Sequence, residues 1–291
     1  MDHIPVLLDT DIGSDIDDAM ALAYLLKQPR CELLGITTVS GNVQERAALA
    51  EVLCRAAGKP EVPIHCGRRS VLTHGVGQPR VPQYEAVANQ AHRLDRPENT
   101  AVEFLRETIR SRPKEITLLS IGPFSNIALL FAIDPEIPFL VKSVVSMAGV
   151  FFAGDRREWN ALVDPTATSM VYCSPKEDHL SVGLDVTERC RLSASEVRRR
   201  FVGEPLSTVT TFAESWFRQA NDATFHDPLA AALIFKPELC EYESGQVVSS
   251  ITPDLDHCGH TRLEIGPGPD RVAKTVDALA FFEEFFAVTT E

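Results

Sequence analysis

The chain has 291 residues, of which 44% are hydrophobic and 24% charged, with a formal net charge of −13. Those shares suit a globular protein with a sizeable core, and the length suits one large α/β domain or two smaller ones. The acidic surplus argues against nucleic acid and anionic membrane as partners, because both bind through basic patches; it is compatible with a neutral small molecule or a bound cation.

In chain order, "PVLLD" (Pro5–Asp9) reads as a buried strand, and a helix starts at Asp17 or Asp18 and runs to Gln28, with Pro29 after it. "ELLGITTV" (Glu32–Val39) is a second buried strand. Val43–Gly58 has helical periodicity and a terminal glycine. "VPIHCG" is a short third strand. Residues 67–98 are rich in Gly, Pro, Arg and His without a clean period, as expected of a functional lid. "TAVEFLRETIRSR" then reads as helix, "EITLLSIG" as strand, "SNIALLFAI" as helix and "FLVKSVVSMAG" as strand. After a loop come the helix "DPTATSMVYCS" and the strand "LSVGLDV". Residues 193–236 read as mostly helical. "QVVSSIT", "TRLEIG" and "RVAKTV" are late strands, and "DALAFFEEFFAVT" is a closing amphipathic helix.

Alternating strands and helices predict an α/β fold with an open, mostly parallel sheet and helices on both faces. With no repeat, low-complexity linker or composition shift, residues 1–291 are expected to form one domain. The seven cysteines are odd in number and contain no C-x-x-C pair, so a reducing compartment without disulfides or a zinc site is expected. The N-terminus shows no signal-peptide pattern, and no stretch approaches the roughly 20 apolar residues of a membrane span. The expected location is the cytoplasm.

Ligands of such sheets bind beyond the carboxyl ends of the strands, and polar residues gather at those positions here. Asp9, Asp11, Asp15, Asp17 and Asp18 fall between the first strand and the first helix. Clustered carboxylates suit a hard cation such as Ca²⁺ or Mg²⁺, although Asp15, Asp17 and Asp18 also fit as helix caps. Gly41–Asn42 ends the second strand, "SIGPFSN" the fourth, and Glu158, Trp159 and Asn160 follow the fifth. His226–Asp227 precedes a helix. Each is ordinary turn or cap chemistry alone; together they converge on one sheet edge.

These motifs resemble the inosine–uridine nucleoside hydrolase family along nearly the whole chain. "DTDIGSDIDDAMAL" is similar to D-T-D-P-G-x-D-D-A-x-A-L, "SIGPFSNIALL" to G-P-L-T-N-I-A, "EWN…DP" to E-F-N…D-P-E-A, and "HDPLAAA" to H-D-P-L-A-V-A. "GITTVSGN" and "GLDVT" match two further motifs. The resemblance implies a calcium-dependent N-ribohydrolase of nucleoside salvage, usually a homodimer or homotetramer. It implies that Asp11, Asp18, the Ser125 carbonyl and Asp227 hold Ca²⁺ and that Asp17 is the general base on the attacking water. Asn42, Glu158 and Asn160 would bind ribose hydroxyls, Met147 would flank the sugar, and His226 would be a proton donor to the leaving base.

The chain departs from the family pattern in three places. Five residues, not three, separate Asp11 from the Asp17–Asp18 pair, which leaves Asp15 open between the metal shell and the pocket wall. "GDRREWN" is three residues shorter than its counterpart. It places Asp155 on the ribose 5′ side, followed by Arg156 and Arg157, which either admit a charged 5′ substituent or are solvated loop residues. In "LTHGVGQPR", His74 either reaches the base or lies on the surface. Trp159 and Trp216 either stack on a base or pack in the core. The rival readings are a haloacid dehalogenase-type phosphohydrolase, whose motif is matched weakly and leaves "HDPL" and "EWN" unexplained, and a non-catalytic nucleoside-binding relative. The sequence does not set purine against pyrimidine preference.

Overall fold

A computed structural model describes residues 3–290 apart from 153, 253 and 255. The chain opens with β1 (Ile4–Thr10), α1 (Asp17–Lys27), β2 (Cys31–Thr38), α2 (Val43–Ala56) and β3 (Ile64–Cys66). A long segment with a single 3₁₀ turn, Pro82–Ala86, leads to α3 (Ala101–Ser111), β4 (Thr117–Ser120), α4 (Ser125–Ile133), α5 (Ile137–Leu140) and β5 (Ser143–Met147). Then come α6 (Trp159–Val163), α7 (Pro165–Cys173), β6 (His179–Val182), α8 (Leu184–Thr187), β7 (Arg191–Ser193) and α9 (Ala194–Arg200). The chain continues through α10 (Leu206–Trp216), β8 (Asp222–Thr224), α11 (His226–Leu233), β9 (Cys240–Ser249), β10 (Thr261–Ile265), β11 (Asp270–Val276) and α12 (Ala278–Thr289).

Nine strands form one sheet in the order β10-β9-β11-β6-β5-β4-β1-β2-β3. Only β9 runs against the others, pairing antiparallel with β10 and β11. β1 lies between β2 and β4, is buried from Pro5 onward and is apolar up to Leu8, as suits a central parallel strand. One apolar core covers the face under α1, α2, α11 and α12; the other lies under α3, α4 and α7. Asp17 to Leu26 of α1 are all buried, which explains a helix made almost entirely of Ala, Leu, Met and Tyr after its acidic first turn. Among the described residues, no helix is long and apolar enough to cross a membrane.

Four local expectations are corrected. The fifth strand begins only at Ser143, because Pro138 starts the helical turn of α5. The sixth ends at Val182, and "LDVT" coils into α8. β9 begins at Cys240, before the apolar run that signals it. The region read as mostly helical is interrupted by β8, which pairs with β7 at the region's start.

Candidate active site

The aspartates sit where β1 gives way to α1, at the carboxyl edge of the sheet, and they do not share one environment. Asp9 points into the protein: its Oδ1 accepts bonds from Thr37 Oγ1 and from Asn126 Nδ2 at 2.7 Å. Asn126 also donates to Thr38 O at 3.2 Å and accepts from Arg68 N at 2.8 Å, so Asp9 ties β1 to β2 and α4. Burial pushes its carboxyl up to about 7.

Asp11, Asp15, Asp17, Asp18 and Asp227 instead line a cavity of about 830 Å³. Ligand atoms of Asp17, Asp18 and Asp227 lie within 4.8 Å of one another, as do those of Asp15, Asp17 and His226. Asp17 and Asp18 form the first turn of α1 and Asp227 that of α11, where the free amides favour negative charge. That is not enough compensation. Burial, and then the neighbouring carboxylates, hold Asp17 and Asp227 well above the usual carboxylate range. Asp18 is raised in the same way, by burial and by Asp11, against the Thr10 hydroxyl that donates to it. Burial pushes Asp15 up to about 7. The Asp227 side chain is buried among other carboxylates. Carboxylates so placed either stay protonated or share a cation, and an all-oxygen set of three fits a hard divalent ion.

Asp11 stands apart from both groups. Its neighbour is Arg46, a fully buried guanidinium whose Nη2 lies 4.0 Å from Asp11 Oδ2 and whose Nη1 donates to Asp11 O. Arg46 was not singled out from the sequence. The signal is its register: it falls on the buried stripe of α2 with Val43, Ala47 and Ala50, where an apolar residue is expected.

The opposite wall comes from β5 and α6. Glu158 caps α6: Oε1 accepts from Asn160 N at 2.7 Å, and Oε2 accepts from Ala161 N at 2.9 Å and Gly149 N at 3.0 Å. Burial pushes its carboxyl up to about 7 despite those bonds. Asn160 Nδ2 donates to Ile121 O at 2.8 Å and Met147 O at 3.1 Å, which leaves the amide oxygen for a ligand hydroxyl. Met147, Trp159 and Trp216 border the same cavity, Trp159 being 47% exposed. His226 pairs through Nδ1 with Thr187 Oγ1 at 2.7 Å, and burial lowers its imidazole to about 4.

Four expected residues do not line the cavity. Asn42 caps α2, accepting from Glu45 N at 3.4 Å. Ser125 opens α4, and its hydroxyl donates to Asp164 Oδ2 at 2.6 Å; only its carbonyl bears on the expected role. Asp155 turns outward, its side chain 100% exposed and 3.0 Å from His260 Nε2; earlier in the same loop, Asp185 accepts from Phe151 N at 2.7 Å. His74 bonds Thr73, while the adjacent Gly75 packs on Val163 O; the lid segment that reaches the cavity is Gln78–Pro82. Of the two loop arginines, Arg156 pairs with Glu188 at 2.9 Å, and Arg157 borders the cavity.

Residues 6–283 match the profile of the inosine-uridine preferring nucleoside hydrolase family. Uridine nucleosidase 1 of Arabidopsis thaliana is 31% identical, the match covering 97% of this chain and 91% of that protein. The pyrimidine-specific ribonucleoside hydrolase RihA of Salmonella enteritidis PT4 is 29% identical over 81% of each. Among solved structures, the plant nucleoside hydrolase PpNRh1 superposes with a TM-score of 0.84 over 99% of both chains at 23% identity.

Proposed function

The chain belongs to the inosine-uridine preferring nucleoside hydrolase family, and on that premise we propose a mechanism and a substrate class for it. It is a hydrolase of N-glycosyl compounds acting on ribonucleosides. Two of the relatives above are named for uridine and for pyrimidine ribonucleosides, so uridine is the first substrate to assign. The whole of residues 1–291 acts as one catalytic domain in this reading. Cytoplasmic salvage by a homodimer or homotetramer completes it.

Asp18, Asp227, Asp11 and the Ser125 carbonyl would hold a calcium ion. Bound there, calcium would lower the pKa of a water and offset the repulsion among the carboxylates. Asp17, beside Asp18 and Asp227, takes the proton from the attacking water. Glu158 and Asn160 hold the ribose hydroxyls, Asn160 through its amide oxygen, and Met147 packs against the sugar. Fixing the sugar in this way sets the line of attack on an oxocarbenium-like centre. Trp159 and Trp216 offer faces on which a base can stack. His226, which borders the cavity with Nδ1 held by Thr187 Oγ1, serves the leaving base as a proton donor.

The observation that carries this reading is the cavity floor, where Asp17, Asp18 and Asp227 close within 4.8 Å with no cationic side chain among them. Asp11 lies outside that group, which favours a second assignment in which Asp11 and Asp17 exchange roles. Calcium titration and turnover of Asp11→Asn and Asp17→Asn separate the two. The base is the residue whose replacement abolishes ribose release and keeps calcium affinity; the ligand is the one whose replacement loses both. Arg157 leaves open a charged 5′ substituent, tested by comparing uridine with its 5′-phosphate; no gain from the phosphate rejects it.

A further inference from the structure

Five residues separate Asp11 from Asp17, and a loop that joins two such groups is loose unless something holds it. Here every carbonyl from Asp11 to Asp15 accepts a hydrogen bond, and two side chains of other segments account for four of the five. Arg46 Nη1 donates to Asp11 O and, at 3.0 Å, to Ile12 O. Gln83 Nε2 donates to Asp15 O at 2.6 Å and Ser14 O at 3.3 Å, and the Gln83 backbone amide donates to Gly13 O at 3.1 Å. Both residues are 0% exposed. Gly13 has φ +123°, and a Cβ there would strike Val81 and Leu49, so the spacer packs directly on the lid and on α2.

The chemistry of the two side chains fits this task. Arg46 uses its whole fork: Nε donates to Ser40 O at 2.7 Å, and Nη2 donates to Gln78 O at 3.1 Å while facing Asp11 Oδ2 at 4.0 Å. It therefore joins the aspartate loop, the turn after β2 and the lid, and places one fixed positive charge beside the carboxylates. Lysine, a point charge with three donors, cannot reproduce that planar set. Gln83 Oε1 is buried with no partner, so the position uses the donor end of the amide. A buried side chain is retained in that state only where its donors are worth more than the acceptor left unpaired.

We propose that Arg46 and Gln83 are positioning residues for nucleoside hydrolysis: they form a cradle that fixes this spacer so that Asp11, Asp15 and Asp17 present their carboxylates to one cavity. The inference rests on the hydrolase reading above. It assigns Arg46 and Gln83 no contact with substrate. It also makes the lid segment around Gln78–Gln83 part of the catalytic framework, because the donors that shape the floor come from it.

The test compares the full-length protein with Arg46→Lys, Arg46→Met and Gln83→Met. Three quantities are measured: kcat and KM for uridine hydrolysis, the rise in Tm on adding calcium, and the Tm without it. In all three variants kcat is expected to fall at least 10-fold, with KM for uridine changed less than 3-fold, because the sugar-binding wall is untouched. Arg46→Lys is expected to restore little of the loss. The calcium-induced rise in Tm, which reads cation binding without turnover, is expected to shrink by half or more in Arg46→Met. Variants that melt earlier but keep wild-type kcat and the full calcium response would overturn the proposal and leave a purely structural role. Should Arg46→Met not fold, Arg46→Lys and Gln83→Met decide the matter by the same readouts. Wild-type protein that cleaves no nucleoside defeats the hydrolase reading instead, a distinct outcome.

Discussion

The two ends of the parallel strands bury acid in opposite ways. At the carboxyl edge, Asp227 is 2% exposed and shares its space with Asp11, Asp15, Asp17 and Asp18. At the amino edge, Asp270 is 0% exposed, but Lys176 Nζ lies 3.2 Å from Oδ1, His179 Nδ1 lies 3.5 Å from the same oxygen, and Val247 N donates to Oδ2 at 2.7 Å. Burial pushes up on both. For Asp270 the neighbouring His179 and Lys176 outweigh it, and the carboxyl stays below the usual range. For Asp227 the neighbours add to burial, and it rises far above that range. Depth alone therefore does not separate a functional acid from a structural one; the sign of the compensation does. The amino-edge cluster holds a cation of its own in Lys176, although Asp270 Oδ1 and His179 Nδ1 make no hydrogen bond, whereas no cationic side chain stands among Asp17, Asp18 and Asp227.

The largest effect expected from breaking this contrast is on turnover. Asp17→Asn should slow turnover by a factor on the order of 10³, as loss of a general base does, with little change in Tm, measured by ribose release and by calorimetry. Next is Lys176→Met, which strands Asp270 without its cation. It should cost about 3 kcal/mol of stability in denaturant unfolding and leave turnover by the folded enzyme unchanged. A loss of turnover comparable with that of Asp17→Asn would erase the distinction between the two edges.

The pH dependence of stability should carry both signs. Asp9, Asp15 and Glu158 are pushed up to about 7. A raised carboxyl stabilises the fold fully below its unfolded value near 4, and that contribution is lost as pH rises through about 7. Asp18 and Asp227 are raised as well, so calcium-free protein should lose several degrees of Tm between pH 4.5 and 7.5, and saturating calcium should remove their share of the slope and leave that of Asp9 and Glu158. Asp270, lowered, contributes above about pH 4, and that contribution is lost as pH falls through its folded value. An acid-side collapse of stability should persist with or without calcium. A slope above pH 4.5 that calcium leaves wholly unchanged would show that Asp18 and Asp227 are not the cation site. The smallest effect is at Asp155, whose side chain is in solvent. Asp155→Ala should change kcat/KM for uridine less than 2-fold.

The contrast also explains what the sequence could say. The acids at the carboxyl edge were legible because their signal is local: a buried strand ending in Asp, followed within a few residues by a helix opening on Asp17–Asp18, leaves those side chains little choice of place. "HDPL" at the start of α11 is local in the same sense. The amino-edge cluster is not local, since Lys176, His179 and Asp270 meet only when β6 pairs with β11. The misplaced residues tell the same story. Asn42 looked like a ligand contact but is used as the cap of α2. His74 and Asp155 lie on loops that meet distant groups, Val163 for one and Asp185 for the other. Arg46 and Gln83 were missed because their partners are backbone carbonyls, which leave no mark in a sequence.

The central claim is that the uncompensated carboxylates at the carboxyl edge work as a cation-dependent nucleoside hydrolase site. Its most direct test is ribose release from uridine by chelator-treated protein across a calcium titration, run alongside the Tm rise over the same concentrations. No release is expected without calcium, and recovery is expected with a midpoint that matches that of the Tm rise. Full activity in the chelated protein, or a calcium response in Tm with no N-riboside cleaved at any concentration, would contradict it.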